Sequence, residues 1–291
     1  MKQAITGSTT VCGVIGDPIE HTLSPAMHNA AFRELGLDFV YLPFHVHPRG
    51  LEAAIGGMRG LNIRGLNVTI PHKLSVIPLL DDVDPAASRI GAVNTIVNYK
   101  GKLTGYNTDA PGFIHALHQE VADLKGRQVL VIGAGGAARA VAFALAGEGA
   151  ELTILNRQEE FDWAEELAAT IHNAFGLKVT AALLEHLNLA PALAQASVLV
   201  NATSLGMAPN DDLSPVPADL LRPGLIVFDV VYNPLETRLL REAKAAGGRA
   251  ISGLEMLVWQ GALAFQMFTG YPAPVELMRR EAIRQLEGHE D

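Results

Sequence analysis

Residues 129–157 read VLVIGAGGAARAVAFALAGEGAELTILNR: an apolar strand, a glycine-rich turn, an alanine-rich helix and a second apolar strand. Gly133 suits the tight turn after the strand, Gly135 leaves space for a pyrophosphate against the backbone, and Ala138 is small enough for close packing of helix on strand. The amides of Gly136, Ala137 and Ala138 have no partner inside the helix they begin. With the positive end of the helix dipole, they suit an anion without help from a cationic side chain. A lone G-x-G-x-x-A is weak evidence, but the strand on each side makes it a dinucleotide signal.

A second set of chemical groups precedes it. Thr22 and Ser24, in His21-Thr22-Leu23-Ser24-Pro25, are two hydroxyls that can point at one carboxylate; Ser24 also reads as the N-cap of the next helix. Asn67 and Thr69 fall on one face of a strand by its two-residue period. Lys73 follows about one helical turn on, either as a solvated surface charge or as an ammonium beside a ligand. Asn94 and Asp109 end strands of their own, and Asn107-Thr108-Asp109 reads equally as a helix cap. In α/β sheets ligands collect at strand ends.

The elements that position these groups follow from pattern and punctuation. Strands are expected at 10–15, 39–46 and 65–69, with helices from Ser24 to Gly36 and over 51–58, and Pro71 in the first turn of a further helix. Residues 92–99 and 102–106 alternate around Lys100-Gly101 as a hairpin. After Asp109 a helical stretch to about Leu124 leads into the nucleotide-binding unit. Strands then follow at 152–155, 178–181, 198–201 and 225–231, with helices from about Phe161 and Leu184. Two helical stretches close the chain, 254–268 and 274–286. The expected fold class is α/β with two domains. A mixed α/β substrate-binding catalytic domain, 1–109, is joined again by 253–291, whose helices pack back on it; between them lies a Rossmann-type, doubly wound parallel sheet, 110–252. Joints near Asp109 and Ser252 imply a cleft that can close and shed water.

Composition narrows the function classes. The 291 residues, 49% of them hydrophobic, suffice for two cores. A net charge of −9 without a Lys/Arg-rich run argues against nucleic acid. One cysteine, Cys12, excludes an intrachain disulfide, and neither a signal-type segment nor an apolar run of ~18 residues is present, so a cytoplasmic protein with no membrane partner is expected. The ten histidines are scattered, and His45 and His47, on one face of an expected strand, lack a third partner; no metal is expected.

Taken together, the segments PIEHTLSPAMHN, GLNVTIPHK, GAVNT, GYNTDAPGF, VIGAGGAARA, NATSLGM, DVVYNPLETRLL and GLEMLVWQGA occur in the order found in shikimate dehydrogenases and span nearly the whole chain. This resemblance, which extends to the related quinate/shikimate dehydrogenases, implies reversible, nicotinamide-dependent reduction of 3-dehydroshikimate to shikimate in aromatic amino-acid (chorismate) biosynthesis. It assigns Thr22 and Ser24 to the substrate carboxylate. Asn67, Thr69, Lys73, Asn94, Asp109 and Gln260 fall to the ring hydroxyls and reacting oxygen, and Tyr232 to closing the pocket. It assigns Gly133, Gly135, Gly136 and Ala137 to the cofactor phosphates, Asn156 and Arg157 to the adenosine end, Met207 and Gly253 to the nicotinamide end, and Ala134, Thr203 and Val230 to the cofactor without a stated end. Lys73 is then the general acid/base and Asp109 its partner, since a developing alkoxide needs a proton and a charge to stabilise it.

Two departures from the family pattern bear on specificity. Thr22 replaces the first serine of HSLSP and adds a methyl group to the pocket. After Asn156-Arg157 the chain continues Gln158-Glu159-Glu160-Phe161-Asp162 instead of Thr and a second basic residue. Arg157 can pair with a 2′-phosphate, whereas the acidic residues repel one, can accept from a ribose hydroxyl, or simply begin a helix. The general habit of the family that the chain resembles makes NADP the expected cofactor, with NAD possible. The alternatives are an NAD-using quinate/shikimate dehydrogenase and, in a different class, a non-catalytic dinucleotide-binding regulatory paralogue. The partner is a small molecule, shikimate or 3-dehydroshikimate and possibly quinate, bound by a monomer or homodimer.

Overall fold

The computed structural model describes residues 5–288, which group into two compact units. The first runs to Thr108 and resumes at Val258; the second is Asp109–Leu257.

In the first unit β1 (Thr10–Gly16), β2 (Phe39–His45), β3 (Gly65–Val68), β4 (Asp82–Val83), β5 (Thr95–Tyr99) and β6 (Lys102–Tyr106) form a mixed sheet in the order β2-β1-β3-β5-β6-β4. β1 pairs parallel with β2 and β3, whereas β5 runs antiparallel to both β3 and β6. The β5–β6 turn has positive φ at both central residues, Lys100 (53°) and Gly101 (89°), the type I′ geometry that matches strand twist. Because β5 is antiparallel, its first residue, Thr95, lies opposite Asn67 near the carboxyl end of β3. Ile15, Leu66, Val68 and Ile96 form the sheet's contribution to a core completed by Ile55 and Met58 of α2 (Leu51–Gly60).

Three local expectations are corrected. Ser24 does not cap α1 (Ser24–Glu34): the N-cap is Leu23, and Ser24 is the first helical residue, its amide donating to Thr22 Oγ1 at 3.4 Å. Pro71 begins no helix. The Ile70–Pro71 bond is cis, and residues 70–76 form hydrogen-bonded turns. The carbonyl of Lys73, which a helix would pair with residue 77, accepts instead from the Val93 amide at 2.8 Å, while the Ile77 amide goes back to Leu74. His47 also lies beyond the end of β2, as the N-cap of a 3₁₀ turn. A short helix that the pattern did not reveal, α3 (Pro85–Ile90), is capped by the Asp84 carboxylate and stopped by left-handed Gly91.

The second unit opens with α4 (Asp109–Leu117), shorter than expected, after which the chain turns with His118 Nδ1 on the Val121 carbonyl at 2.8 Å. Strands and helices then alternate as β7 (Gln128–Ile132), α5 (Gly136–Gly147), β8 (Glu151–Asn156), α6 (Phe161–Phe175), β9 (Thr180–Leu183), α7 (His186–Gln195), β10 (Val198–Asn201), β11 (Ile226–Asp229), α8 (Arg238–Ala245) and β12 (Arg249–Ser252). All six strands are parallel, in the order β12-β11-β10-β7-β8-β9, the doubly wound arrangement whose direction of winding reverses between β7 and β10. β9 begins two residues later than its pattern indicates, because its pairing starts with Thr180 opposite Thr153. α8 and β12 are not among the expected elements.

The chain ends in α9 (Gly253–Thr269) and α10 (Val275–Leu286). From Val258 onward they belong to the first unit, where α10 packs on α1. α9 is held against β3 by a close approach: a Cβ on Gly65 would fall 2.2 Å from the Phe268 ring, and Arg64 Nε donates to the Phe268 carbonyl at 2.9 Å. Between α1 and α9 lies the fully buried His28, stacked on Tyr41 with ring centroids 4.2 Å apart and flanked by Phe32, Phe265 and Phe268. Neither ring nitrogen has a hydrogen-bond partner among the described residues, and burial drives the imidazole down to about 3 from 6.5.

Two predictions follow from this packing. His28 is neutral when folded and protonated below 6.5 when unfolded, so its contribution is complete above pH 6.5 and is lost as pH falls from there toward 3. His28→Phe should therefore flatten the dependence of melting temperature on pH across that window; unchanged slopes would contradict the assignment. At the end of β1, a Cβ on Gly16 would sit 2.5 Å from the Thr69 methyl. Gly16→Ala should cost about 1–3 kcal/mol of stability by forcing Thr69 aside. Gly16→Ala with Thr69→Ser, which removes that methyl, should recover most of the loss in chemical denaturation, and no recovery would locate the strain elsewhere.

Candidate active site

In the first unit the candidate polar residues gather where β3 ends and β5 begins. Asn67, in β3, donates from Nδ2 to Thr95 Oγ1 at 3.0 Å and to the Asn94 carbonyl at 3.3 Å, and accepts at Oδ1 from the Tyr41 hydroxyl at 2.7 Å. Asn94 Oδ1 receives the Thr95 hydroxyl at 3.1 Å and the Thr108 amide at 2.7 Å; its Nδ2 donates to Thr108 Oγ1 at 2.9 Å and to Gln260 Oε1 at 3.4 Å. All are buried, Gln260 the least at 9% exposed. Sequence reasoning missed Tyr41, Thr95 and Thr108, whose hydroxyls hold the two carboxamides. Thr95 and Thr108 stood beside singled-out residues, and Tyr41 gave no signal in its strand.

Ser24 lies at the same place. It is buried and holds down the pKa of the Tyr41 phenol, which burial and, less strongly, Cys12 push far up. Tyr41 is steadied in turn by Asn29 of α1, whose carboxamide accepts from the Tyr41 amide and donates to its carbonyl, both at 2.9 Å. Thr69, half-buried, follows β3 with its amide on the Ile15 carbonyl at 3.0 Å. Half-buried Lys73 sits in the turns after Pro71, its carbonyl fixed by Val93 and its neighbour His72 anchored at Nε2 to the Val46 carbonyl at 2.6 Å. Thr22, Ser24, Asn67, Thr69, Asn94, Gln260 and Lys73 thus all belong to this unit, a set of hydroxyls, carboxamides and one ammonium suited to a polyhydroxylated carboxylate.

Asp109 and Tyr232 belong to the second unit. Asp109 is the buried first residue of α4, 4% exposed. The Thr108 side chain is turned toward Asn94. Tyr232 is half-buried after β11.

At the point where the winding reverses, Gly133 takes φ 105°, and a Cβ there would lie 3.0 Å from the Thr203 methyl and 3.2 Å from the Ala202 carbonyl. Only glycine meets both demands. Gly135 is the N-cap of α5; it offers no side-chain cap, and a Cβ on it would meet nothing within 4 Å. The amides of Gly136, Ala137 and Ala138 begin the helix with no side-chain cap and no acidic residue in the first turn, and Ala134 and Ala138 are buried. These residues fit a dinucleotide pyrophosphate.

At the end of β8, Asn156 Nδ2 holds the Glu160 carbonyl at 2.6 Å, and exposed Arg157 pairs with the Glu160 carboxylate. That hydrogen bond and charge raise the Arg157 pKa further. The other designated positions follow β10, β11 and β12: Thr203, whose hydroxyl donates to Asn201 Oδ1 at 2.7 Å, exposed Met207, half-buried Val230, and Gly253, where a Cβ would lie 2.2 Å from the Val230 carbonyl. Beneath them Asp229 is fully buried, and burial raises its carboxyl to about 6 against hydrogen bonds from Thr237, Val231 and Asn201. Relative to 3.8, that is a penalty of roughly 3 kcal/mol on the ionised form at neutral pH. Among the described residues, no group of His, Cys, Asp and Glu is arranged to hold a metal ion, and no helix is long and apolar enough to cross a membrane.

Three family models match: the shikimate dehydrogenase substrate binding domain over residues 14–96, shikimate / quinate 5-dehydrogenase over 115–208, and the shikimate 5′-dehydrogenase C-terminal domain over 253–283. A shikimate dehydrogenase (NADP(+)) of Methanopyrus kandleri is 51% identical over 286 residues, covering 97% of this chain and 98% of the relative. A crystal structure of a shikimate dehydrogenase in complex with NADP+ superimposes with a TM-score of 0.90 at 43% identity, over 97% of this chain and 98% of that one. The enzyme from Listeria monocytogenes, in complex with shikimate and NAD, gives 0.88 at 41% identity, over 96% and 98%. The chain belongs to the shikimate dehydrogenase family.

Proposed function

We propose that this protein is a shikimate dehydrogenase that reversibly reduces 3-dehydroshikimate to shikimate with NADP. The observation that carries the reading is the buried row of Tyr41, Asn67, Thr95, Asn94, Thr108 and Gln260, which orients carboxamides and hydroxyls at one strand end beside Thr69 and Lys73. A polyhydroxylated ring needs donors and acceptors held in place before it arrives, since ordering them afterwards costs affinity.

Thr22 and Ser24 receive the substrate carboxylate. Asn67, Thr69, Asn94 and Gln260 take the ring hydroxyls, with Tyr232 as a further contact. Lys73 Nζ passes a proton to the oxygen that gains charge during reduction and takes it back in the reverse direction, with Asp109 as its carboxylate partner. Gly133, Ala134, Gly135, Gly136 and Ala137 cradle the dinucleotide phosphates; Asn156 and Arg157 take the adenosine end; Thr203, Met207, Val230 and Gly253 take the nicotinamide end. The dinucleotide, when bound, supplies or accepts the hydride.

A second reading, use of NAD, is favoured by one observation: Glu160 already occupies the Arg157 guanidinium that a 2′-phosphate would need. An exposed pair of this kind is worth ~0.2–1 kcal/mol, enough to shade the preference but not to reverse a strong one.

Shikimate-dependent reduction of NADP+ by the purified protein tests the activity, and its absence would refute it. Lys73→Ala should lower the turnover number by about 10²–10⁴-fold; near-normal turnover with only a raised shikimate KM would make Lys73 a binding residue. Glu160→Gln should lower the NADP+ KM by about two- to fivefold with the NAD+ KM unchanged. An unaltered ratio would show that Glu160 does not compete for Arg157.

A further inference from the structure

In the second unit Asn201 and Asp229 are register partners at the carboxyl ends of the parallel strands β10 and β11, and both are fully buried. The Asp229 carboxylate collects three donors. At Oδ1 it accepts Asn201 Nδ2 at 2.9 Å and the Val231 amide at 3.1 Å; at Oδ2 it accepts the Thr237 hydroxyl at 2.6 Å. Asn201 carries the linkage into the other loop. Its Oδ1 receives the amide and hydroxyl of Thr203 at 3.1 and 2.7 Å, and its Nδ2 also reaches the Leu205 carbonyl at 3.2 Å. One carboxylate therefore ties the loop that follows β10 to the loop that follows β11, and a backbone bond from the Ala208 amide to the Asn233 carbonyl at 3.0 Å joins the same two loops further out.

The choice of residue is informative. An architectural tie could be made by an amide, which would not bear the cost of burying a charge; an ionised carboxylate accepts all three donors at once and strengthens each bond. The residues tied down, Thr203 and the Val230–Val231 segment, are those assigned above to the nicotinamide end of the cofactor, or adjoin them, and Gly253 presses on the backbone of the same strand end, its hypothetical Cβ 2.8 Å from the Asp229 carbonyl.

We propose that Asp229, acting through Asn201 and Thr237, is a positioning residue that holds these two loops in the geometry that receives the nicotinamide half of the dinucleotide. It touches neither substrate nor cofactor. The proposal rests on the reading that these loops meet the nicotinamide end, and it separates the two halves of the cofactor: loss of the tie weakens recognition of the nicotinamide half and leaves the adenosine half intact.

The test compares Asp229→Asn and Thr237→Val with the unaltered protein, measuring binding of NADP+ and of adenosine 2′,5′-bisphosphate by calorimetry, together with melting temperature and the KM values of NADP+ and shikimate. The expected result is a rise of about tenfold in the NADP+ Kd and KM for Asp229→Asn, with a smaller rise for Thr237→Val, the size expected for losing a hydrogen bond to a charged group. Binding of the bisphosphate and the shikimate KM should stay within about twofold, as the change is confined to one end of one ligand. Loss of both nucleotide ligands in step with a fall in melting temperature would make Asp229 merely structural and overturn the proposal. Unaltered NADP+ affinity in both variants would overturn it as well. If the unaltered protein bound the bisphosphate as tightly as NADP+, the nicotinamide end would make no contact here, and the reading beneath the proposal would fall with it.

Discussion

The carboxamide of Asn94 is the joint on which the first unit's chemistry depends. It is buried where β5 turns back against β3, and a buried amide left unpaired costs about 1–3 kcal/mol for each missing bond. The surroundings therefore have to answer it, and they do so with Thr95, Thr108 and Gln260, from the strand, the segment after the hairpin and α9. A set of bonds that must all be made permits few arrangements. Asn67 is drawn into the same set through Thr95, and Tyr41 through Asn67, so the polar groups at this strand end are oriented by one another and by the sheet beneath them.

The second unit solves a different problem with backbone instead of side chains. Reversal of winding between β7 and β10 brings the first glycine of the loop against Thr203, where neither its φ of 105° nor the 3.0 Å approach admits a side chain. The chain then enters α5 through Gly135, which brings no side-chain cap to the helix amides and has open space where a Cβ would lie. Recognition here is by amides and a dipole. The adjoining ends of β10 and β11 are instead stiffened by a buried carboxylate, so that one rim of the parallel sheet combines a bare helix terminus with a firmly tied pair of loops.

Much of this was legible beforehand, for reasons that particular residues make plain. The glycine loop could be read because its constraints are local: turn, approach and packing all fall within six residues. The hairpin at Lys100-Gly101 was equally self-contained. Ser24 and Pro71 each satisfied a local rule that the chain does not follow. The helix begins at Ser24 itself, one residue earlier than a cap at that position requires, and the Lys73 carbonyl, which would continue a helix from Pro71, is taken by the distant Val93 amide. Tyr41, Thr95, Thr108 and the Asn201–Asp229 pair give no local sign of the partners, distant in sequence, that place them: Asn67 for Tyr41 and Thr95, Asn94 for Thr108, and one another for Asn201 and Asp229.

The most direct measurement is a crystal structure of the protein soaked with shikimate. The account predicts the ring seated at the end of β3, its hydroxyls about 2.7–3.2 Å from Asn67, Asn94 and Lys73 Nζ, and the Asn67 and Asn94 carboxamides in the orientations they hold without ligand. A ring bound elsewhere, or carboxamides that must turn over and abandon Thr95 and Thr108 to reach it, would contradict the claim that this network prepares the site.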